Sequence, residues 1–285
     1  MILIDFSGLA YAPIAQRTVA PDDVDLLRHI ILNNIRLHRN KYKQRFGEIV
    51  IVADGGGNWR KKVFPQYKYK RDPNRDESPI DWDAAFNSIN QVIQDLDENF
   101  PYKVIRQWGC EADDSIAELV HYTQEFGNWE DVMIVSADYD FIQLHKYKNV
   151  HQYSTVTQKI VKNDDPVMYQ KLHFLNGCKG DGVPSVVDDD DQLKEGRKKV
   201  TLTAAKKEQL LEDPKALGDT VYRNWHRNKV LIDLTENRHC PEAIRKEIID
   251  TFENQDKSKH RSKVLPFLIS NNCRQLIENV SEFIN

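Results

Sequence analysis

Three short, almost unbroken apolar runs in this chain each stop at an aspartate: Ile2-Leu3-Ile4 at Asp5, Ile49-Val50-Ile51-Val52-Ala53 at Asp54, and Val132-Met133-Ile134-Val135-Ser136-Ala137 at Asp138. Runs of this length without polar alternation suit strands buried on both faces, as in a parallel sheet. Helical periodicity lies between them. Val24 to Arg39 puts Leu27, Ile30, Ile31 and Ile35 on one stripe, and Ala84 to Leu96 does the same with Phe86, Ile89, Val92, Ile93 and Leu96. A fourth strand is expected at Lys103-Val104-Ile105, feeding the loop that carries Glu111. Strands alternating with helices predict an α/β fold with a mostly parallel central sheet and helices on both faces. Ligands of such sheets bind beyond the carboxyl ends of the strands, where these aspartates would sit.

Two stretches break the pattern. Residues 58–81 are rich in Lys, Arg, Tyr and Pro without a convincing core stripe, and are expected to form an exposed loop or helical arch over the sheet edge. After about residue 175 the pattern turns mainly helical, with Thr203 to Leu211 and Pro241 to Phe252 the best candidates. The expected division is therefore 1–175 as an α/β core and 176–285 as a smaller, mainly helical region. Ser185 to Val200, with four consecutive aspartates from Asp188 to Asp191 followed by Arg197-Lys198-Lys199, reads as a mobile solvated loop. Val264 to Ile284 reads as a packed terminal helix, with a docking role as the alternative.

Composition narrows the class. With 285 residues, 29% of them charged, and a mean hydropathy of −0.63, the chain can bury a large core beneath a wet surface. No apolar run is long enough to span a membrane, and no signal peptide opens the sequence. The four cysteines are scattered without a Cys-x-x-Cys pair and read as reduced thiols of an intracellular protein. The nine histidines show no metal-binding spacing and read as surface or packing residues. A net charge of −4 argues against a nucleic-acid partner only if it is spread evenly. It is not: cations cluster at Arg60-Lys61-Lys62 and Lys68-Tyr69-Lys70-Arg71, interleaved with aromatic rings as single-strand binding favours.

The candidate chemistry is a set of acids: Asp5, Asp54, Glu111, Asp113, Asp114, Asp138, Asp140 and Asp181. Each alone has a bland reading, as a turn former, a helix cap or an acid placed against a helix dipole. Together they would meet at one sheet edge, where carboxylates repel unless a cation sits among them. Magnesium suits such hard oxygen donors and keeps several waters. Divalent cations at such a site favour phosphodiester hydrolysis by offsetting negative charge and acidifying an attacking water.

These residues resemble the flap endonuclease and 5′–3′ exonuclease superfamily, and within it the T-even phage ribonuclease H group of 5′ nucleases. The motifs are Ile4-Asp5-Phe6-Ser7, Val52-Ala53-Asp54, Tyr67-Lys68 with Arg71, Glu111-Ala112-Asp113-Asp114 and Ser136-Ala137-Asp138-Tyr139-Asp140-Phe141. Asp81-Trp82, Gln143-Leu144-His145-Lys146-Tyr147 and Val230-Leu231-Ile232-Asp233 add to them, in the family's order over nearly the whole chain. The resemblance implies a PIN-like nuclease core with a basic arch at about 58–81, and a helical region that grips duplex DNA by its backbone. It implies Mg2+ at two sites, with Mn2+ able to substitute. Asp5, Asp54, Asp113 and Asp138 would bind the first ion with help from Glu111, and Asp140 and Asp181 the sparser second; Asp114 is the doubtful member. Lys68 and Arg71 would contact the scissile phosphate, with Arg60 further along the strand. Where the family has Gly-Asp-x-x-Asp, this chain has Gly177-Cys178-Lys179-Gly180-Asp181, and a thiol is a poor magnesium ligand.

The implied activity is 5′–3′ exonuclease and flap cutting on DNA and RNA–DNA duplexes, removing RNA primers from lagging-strand fragments of phage DNA in the host cytoplasm. A monomer is implied, with no membrane partner; single-strand DNA-binding protein and sliding clamp are partners by resemblance only. Two other readings stand beside it. One is a junction-binding protein that has lost catalysis, with Cys178 its support. The other is a magnesium phosphatase using Asp5, which lacks the usual second acid because Ser7 holds that place.

Overall fold

The computed structural model describes residues 1–126, 129–236 and 239–285. Its centre is a six-stranded sheet in the order β3-β2-β1-β4-β5-β6. The strands are β1 (Ile2–Asp5), β2 (Ile49–Val52), β3 (Lys103–Ile105), β4 (Val132–Val135), β5 (Val150–Ser154) and β6 (Lys159–Val161). All pairs are parallel except β5 with β6. The four strands expected from sequence are present. The last two went unanticipated: β5 alternates buried and half-buried positions, and β6 is a short edge strand with no buried residue.

Alternation along β1 and β2 divides the core. Ile2, Ile4, Ile49 and Ile51 face one layer, and Leu3, Val50 and Val52 face the other. The first layer is covered by α1 (Phe6–Ala15), α2 (Val24–Phe46) and α5 (Trp82–Asn99); the second by α6 (Ala112–His121). Each predicted helical stripe is longer than the sequence pattern showed, because the ends are set by caps rather than by apolar spacing. Asp23 accepts the Leu26 N–H to open α2, and Asp81 accepts the Ala84 N–H to open α5.

The arch is helical but not exposed throughout. It contains α3 (Trp59–Val63) and α4 (Arg71–Asp76), and Trp59, Arg60, Phe64, Tyr67 and Lys68 are all buried. Trp59 joins the α6 side of the sheet core, whereas Phe64 and Tyr67 form a small core with Phe174, Val183, Leu231 and Ile232.

The C-terminal half does not stand apart as one unit. α7 (Pro166–Asn176), α8 (Ala204–Glu212) and α9 (Asp219–Ile232) build their own cluster around Leu175, Val186 and Leu210. Beyond them, α10 (Glu242–Asn254) buries Ile248 against the α6 side. α11 (Arg261–Ser270), α12 (Arg274–Ile277) and α13 (Ser281–Ile284) return to the opposite side, burying Val264, Phe267, Leu276 and Phe283 with β1 and α2. The terminal stretch is thus part of the main core. Residues 185–200, expected to be a mobile loop, are tied down: Asp188 is buried and accepts the Val200 N–H at 2.7 Å, and Asn224 donates to the Val186 and Asp188 carbonyls. The acidic run spends its charge internally, Asp190 on Arg227 and Asp191 on Gln66.

Candidate active site

β1 lies between β2 and β4, so the chain winds outward from it in both directions and leaves a crevice at its carboxyl end. Asp5 ends β1, Asp54 follows β2 by two residues, and Asp138 follows β4 by three. Glu111 and Asp113 arrive at the N-terminus of α6. All five line one cavity of about 330 Å³, together with Asp181, Lys68, Arg71 and Tyr11.

Hydrogen bonds hold the acids in place. Ser136 donates to Asp5 at 2.7 Å and accepts the Asp138 N–H at 3.1 Å, bridging the ends of β1 and β4. Asp5 also accepts the Gly8 N–H as the cap of α1. Ser7 donates to one Asp54 oxygen at 2.9 Å and the Ala112 N–H to the other at 2.9 Å. Asp138 accepts the Asp140 N–H at 2.8 Å. Tyr67 donates to Glu111 at 2.8 Å and stands 3.4 Å from Asp181. Ser7, Tyr67 and Ser136 sat inside the sequence motifs, but their positioning role was not read from them.

The electrostatics follow from crowding. Burial, then the neighbouring Asp54 and Asp138, pushes the Asp5 carboxyl up to about 6. Burial and Asp140 raise Asp138 to about 6, and burial and Asp181 raise Asp140 to about 6. Burial and Asp138 raise Asp113 well above the usual carboxylate range. Glu111 goes the other way: burial would raise it, but Lys68 and Arg60 pull it down to about 2. Burial pulls Lys68 down, but Glu111, Asp181 and Asp113 more than offset it and raise it above its ordinary value. Its ammonium is bonded to Glu111 and lies 3.5 Å from Asp181. Arg71, half exposed, lies 3.5 Å from the same carboxylate.

Lys68 reaches this position through a constrained backbone. Its φ is +55°, and its N–H donates to the Asp181 carbonyl at 2.7 Å. Gly182 makes the approach possible: at φ +73°, a Cβ there would meet the Gln66 carbonyl oxygen at 2.8 Å.

Two expected site residues are elsewhere. Asp114 is fully buried and pairs with both Arg60 guanidinium nitrogens at 2.7 and 2.8 Å, while accepting the Glu111 N–H at 3.1 Å. It turns away from the cavity, which corrects its candidacy as a metal ligand. Arg60, 3% exposed and also bonded to the Leu231 carbonyl, is not available to a nucleic-acid strand, which corrects its candidacy as a DNA contact. Asp181 lines the cavity and Asp140 lies close enough to raise Asp138, and a histidine, His173, stands beside Asp140 with Nε2 3.3 Å from its Oδ1. No spacing signal in the sequence joins them.

The first cluster offers carboxylate oxygen only, the donor chemistry that hard divalent cations take. The second, with Cys178 and His173 beside Asp140, does not match that chemistry.

Comparison with known proteins gives the family and the fold. Residues 2–172 match the model of the 5′–3′ exonuclease N-terminal, resolvase-like domain, and residues 155–283 match that of the T4 RNase H C-terminal region. The ribonuclease H of Enterobacteria phage T4 is 31% identical over 99% of this chain and 95% of its own length. Among solved structures, a T5 5′-exonuclease with bound zinc ions superposes at a TM-score of 0.66 with 18% identity, covering 89% of this chain and 98% of that one. A T5 D15 flap endonuclease in a complex with DNA and metal ions superposes at 0.60, also with 18% identity, covering 93% and 98%.

Proposed function

The chain belongs to the 5′–3′ exonuclease family, and from that premise we propose that it is a magnesium-dependent, structure-specific 5′ nuclease that removes RNA primers from lagging-strand fragments. The observation that carries the reading is one cavity in which five acids from four separate segments meet a buried, charged lysine. Asp5, Asp54, Asp113 and Asp138 would hold the first Mg2+, with Glu111 assisting directly or through water. Mn2+ would substitute on the same oxygens. The bound cation supplies charge neutralisation and a more acidic water.

The chain's own residues do the rest. Glu111, oriented by Tyr67, holds the Lys68 ammonium over the acids, where it meets the scissile phosphate as negative charge develops on it. Arg71, half exposed beside it, would contact the same phosphate. In-line attack of water breaks the P–O3′ bond and leaves a 5′-phosphate and a 3′-hydroxyl. The duplex-gripping role expected of the helical region narrows to about residues 177–232, since later helices pack under the sheet. Selection by junction shape rather than base sequence fits a site with backbone-directed cations. The T5 flap endonuclease complex with DNA supports a DNA substrate. Ser7 donates to Asp54 in the place where a phosphatase would need an acid, which leaves that alternative without support.

The test is cleavage of a 5′-labelled flap and a nicked RNA–DNA duplex, with and without chelator. Short products should appear only with divalent cation, and Asp138→Asn should abolish them while leaving substrate binding nearly intact. Cutting that persists in chelator would sink the reading.

A further inference from the structure

Asp140, His173 and Cys178 come together from three separate elements: the 3-10 helix Tyr139–Lys146, α7, and the turn that follows α7. One ligand atom from each lies within 4.8 Å of the others. We infer that these three side chains form a site for a borderline divalent cation of the zinc type, distinct in chemistry from the all-carboxylate cluster beside it.

Three observations carry this. The donor set is one carboxylate oxygen, one imidazole nitrogen and one sulfur, the mixture that zinc accepts and magnesium does not. His173 Nε2 is buried and makes no hydrogen bond, although Asp140 Oδ1 is only 3.3 Å away. A buried imidazole nitrogen left without a hydrogen bond beside a carboxylate oxygen calls for a further partner. The supporting structure is also built. Tyr169 stacks on the His173 ring at 5.8 Å and 18°, fixing its plane. The Cys178 carbonyl accepts the Val183 N–H at 2.9 Å and the Asp181 N–H at 3.2 Å, closing the turn. Gly177 admits that turn because, at φ +70°, a Cβ would lie 2.4 Å from the Val183 and Pro184 oxygens.

Charge and size fit as well. A thiolate and a carboxylate neutralise a 2+ ion, with neutral imidazole as the third donor and a fourth position open, as in zinc sites that bind water. Bond lengths of about 2.0 to 2.3 Å place tetrahedral donors roughly 3.3 to 3.8 Å apart. His173 Nε2 and Asp140 Oδ1 are already 3.3 Å apart and no pair exceeds 4.8 Å, so closing the site needs at most about 1.5 Å of side-chain adjustment. Asp181, by contrast, already faces Lys68 and Arg71 at 3.5 Å each. The consequence is a nuclease whose two ions differ: an exchangeable hard cation on Asp5, Asp54, Asp113 and Asp138, and a firmly held softer one beside it. The inference bears on the second ion of the proposed function alone and does not require that the chain cut DNA.

Cobalt(II) added to the metal-free full chain tests it, because thiolate ligation gives a sulfur-to-cobalt charge-transfer band. The band should saturate at one Co2+ per chain, survive a large excess of Mg2+, and fall when Zn2+ is added. Cys178→Asp should abolish it. His173→Gln, which keeps the sulfur, should weaken Co2+ binding by at least about tenfold, the minimum that loss of an outer-sphere partner costs. Asp113→Asn should leave it unchanged. Absence of the band, or its survival in Cys178→Asp, overturns the site. Either outcome leaves the flap-cleavage test untouched, so the two readings fail separately.

Discussion

Two of the ion pairs between the arch and the start of α6, Lys68 with Glu111 and Arg60 with Asp114, serve opposite ends, although Arg60 also lies 3.6 Å from Glu111. The partners are close in sequence on both sides, and from sequence all four residues belonged to one functional set. Lys68 and Glu111 open onto the cavity, among Asp113, Asp138 and Asp181. Arg60 and Asp114 are sealed between Trp59, Leu231 and the first turn of α6. A pair at a cavity wall can exchange partners with water, metal or phosphate. A pair in the interior cannot exchange its partners with the contents of the cavity, so its worth is structural. The closed pair holds the arch to the core so that the open pair can be presented.

The largest break in this contrast should come from Arg60→Ala. It leaves Asp114 as an uncompensated charge in a sealed site, which costs about 3–5 kcal/mol and lowers the unfolding midpoint by roughly 10 °C. Thermal melts with and without Mg2+ should show the same loss, because no ion reaches the site. If Arg60→Ala melts like the parent and instead weakens flap binding, the two pairs are alike after all.

Next in size is Lys68→Ala. Removing the cation that meets the phosphate should slow cleavage by about 100-fold, or about 3 kcal/mol in the barrier. In Mg2+ its melting point should fall by less than half the Arg60→Ala loss, since Glu111 can recover a cation or water from the cavity. Single-turnover cleavage alongside melting separates the two effects, and a normal rate would remove Lys68 from the site.

Why the contrast was hidden in the sequence is a matter of direction. The strand-end aspartates were legible because a strand carries its last residue to a fixed edge, and three apolar runs ending alike define that edge. Asp113 and Asp114 are adjacent on a helix, where one residue turns the side chain by roughly 100°. Only the packing of Trp59 and Arg60 decides which of the two faces the cavity. The arch looked exposed for a similar reason: Phe64 and Tyr67 are buried by α7 and α9, which lie far along the chain and leave no local period. His173 was invisible because Asp140 and Cys178, its neighbours, come from other elements.

The smallest effect sharpens the contrast through pH. In the metal-free protein Asp5 titrates near 6 against 3.8 for an ordinary aspartate, so its ionised form opposes folding. That penalty is fully present above about pH 6, shrinks as pH falls, and is gone below 3.8. The gap is worth at most about 3 kcal/mol, and partial contact with water brings it to about 2. Glu111 does not interfere, since its stabilising contribution is lost only as pH falls through its own depressed value of about 2. The Asp5 contribution in chelator should therefore grow more favourable as pH drops from 7 towards 4.5, against buried histidines whose lowered values cost stability over the same range, and Mg2+ at pH 7 should produce a comparable gain. Asp5→Asn keeps an acceptor for the Gly8 N–H and removes the charge. It should raise the melting point in chelator at pH 7 by a few degrees, reduce the pH slope by its own share while Asp113, Asp138 and Asp140 keep the rest, and lose most of the Mg2+ response. Arg60→Ala should keep the Mg2+ response, because Asp114 does not line the cavity that would hold the ion. A variant of the closed pair that altered the Mg2+ response would show that the wall between the two pairs is open.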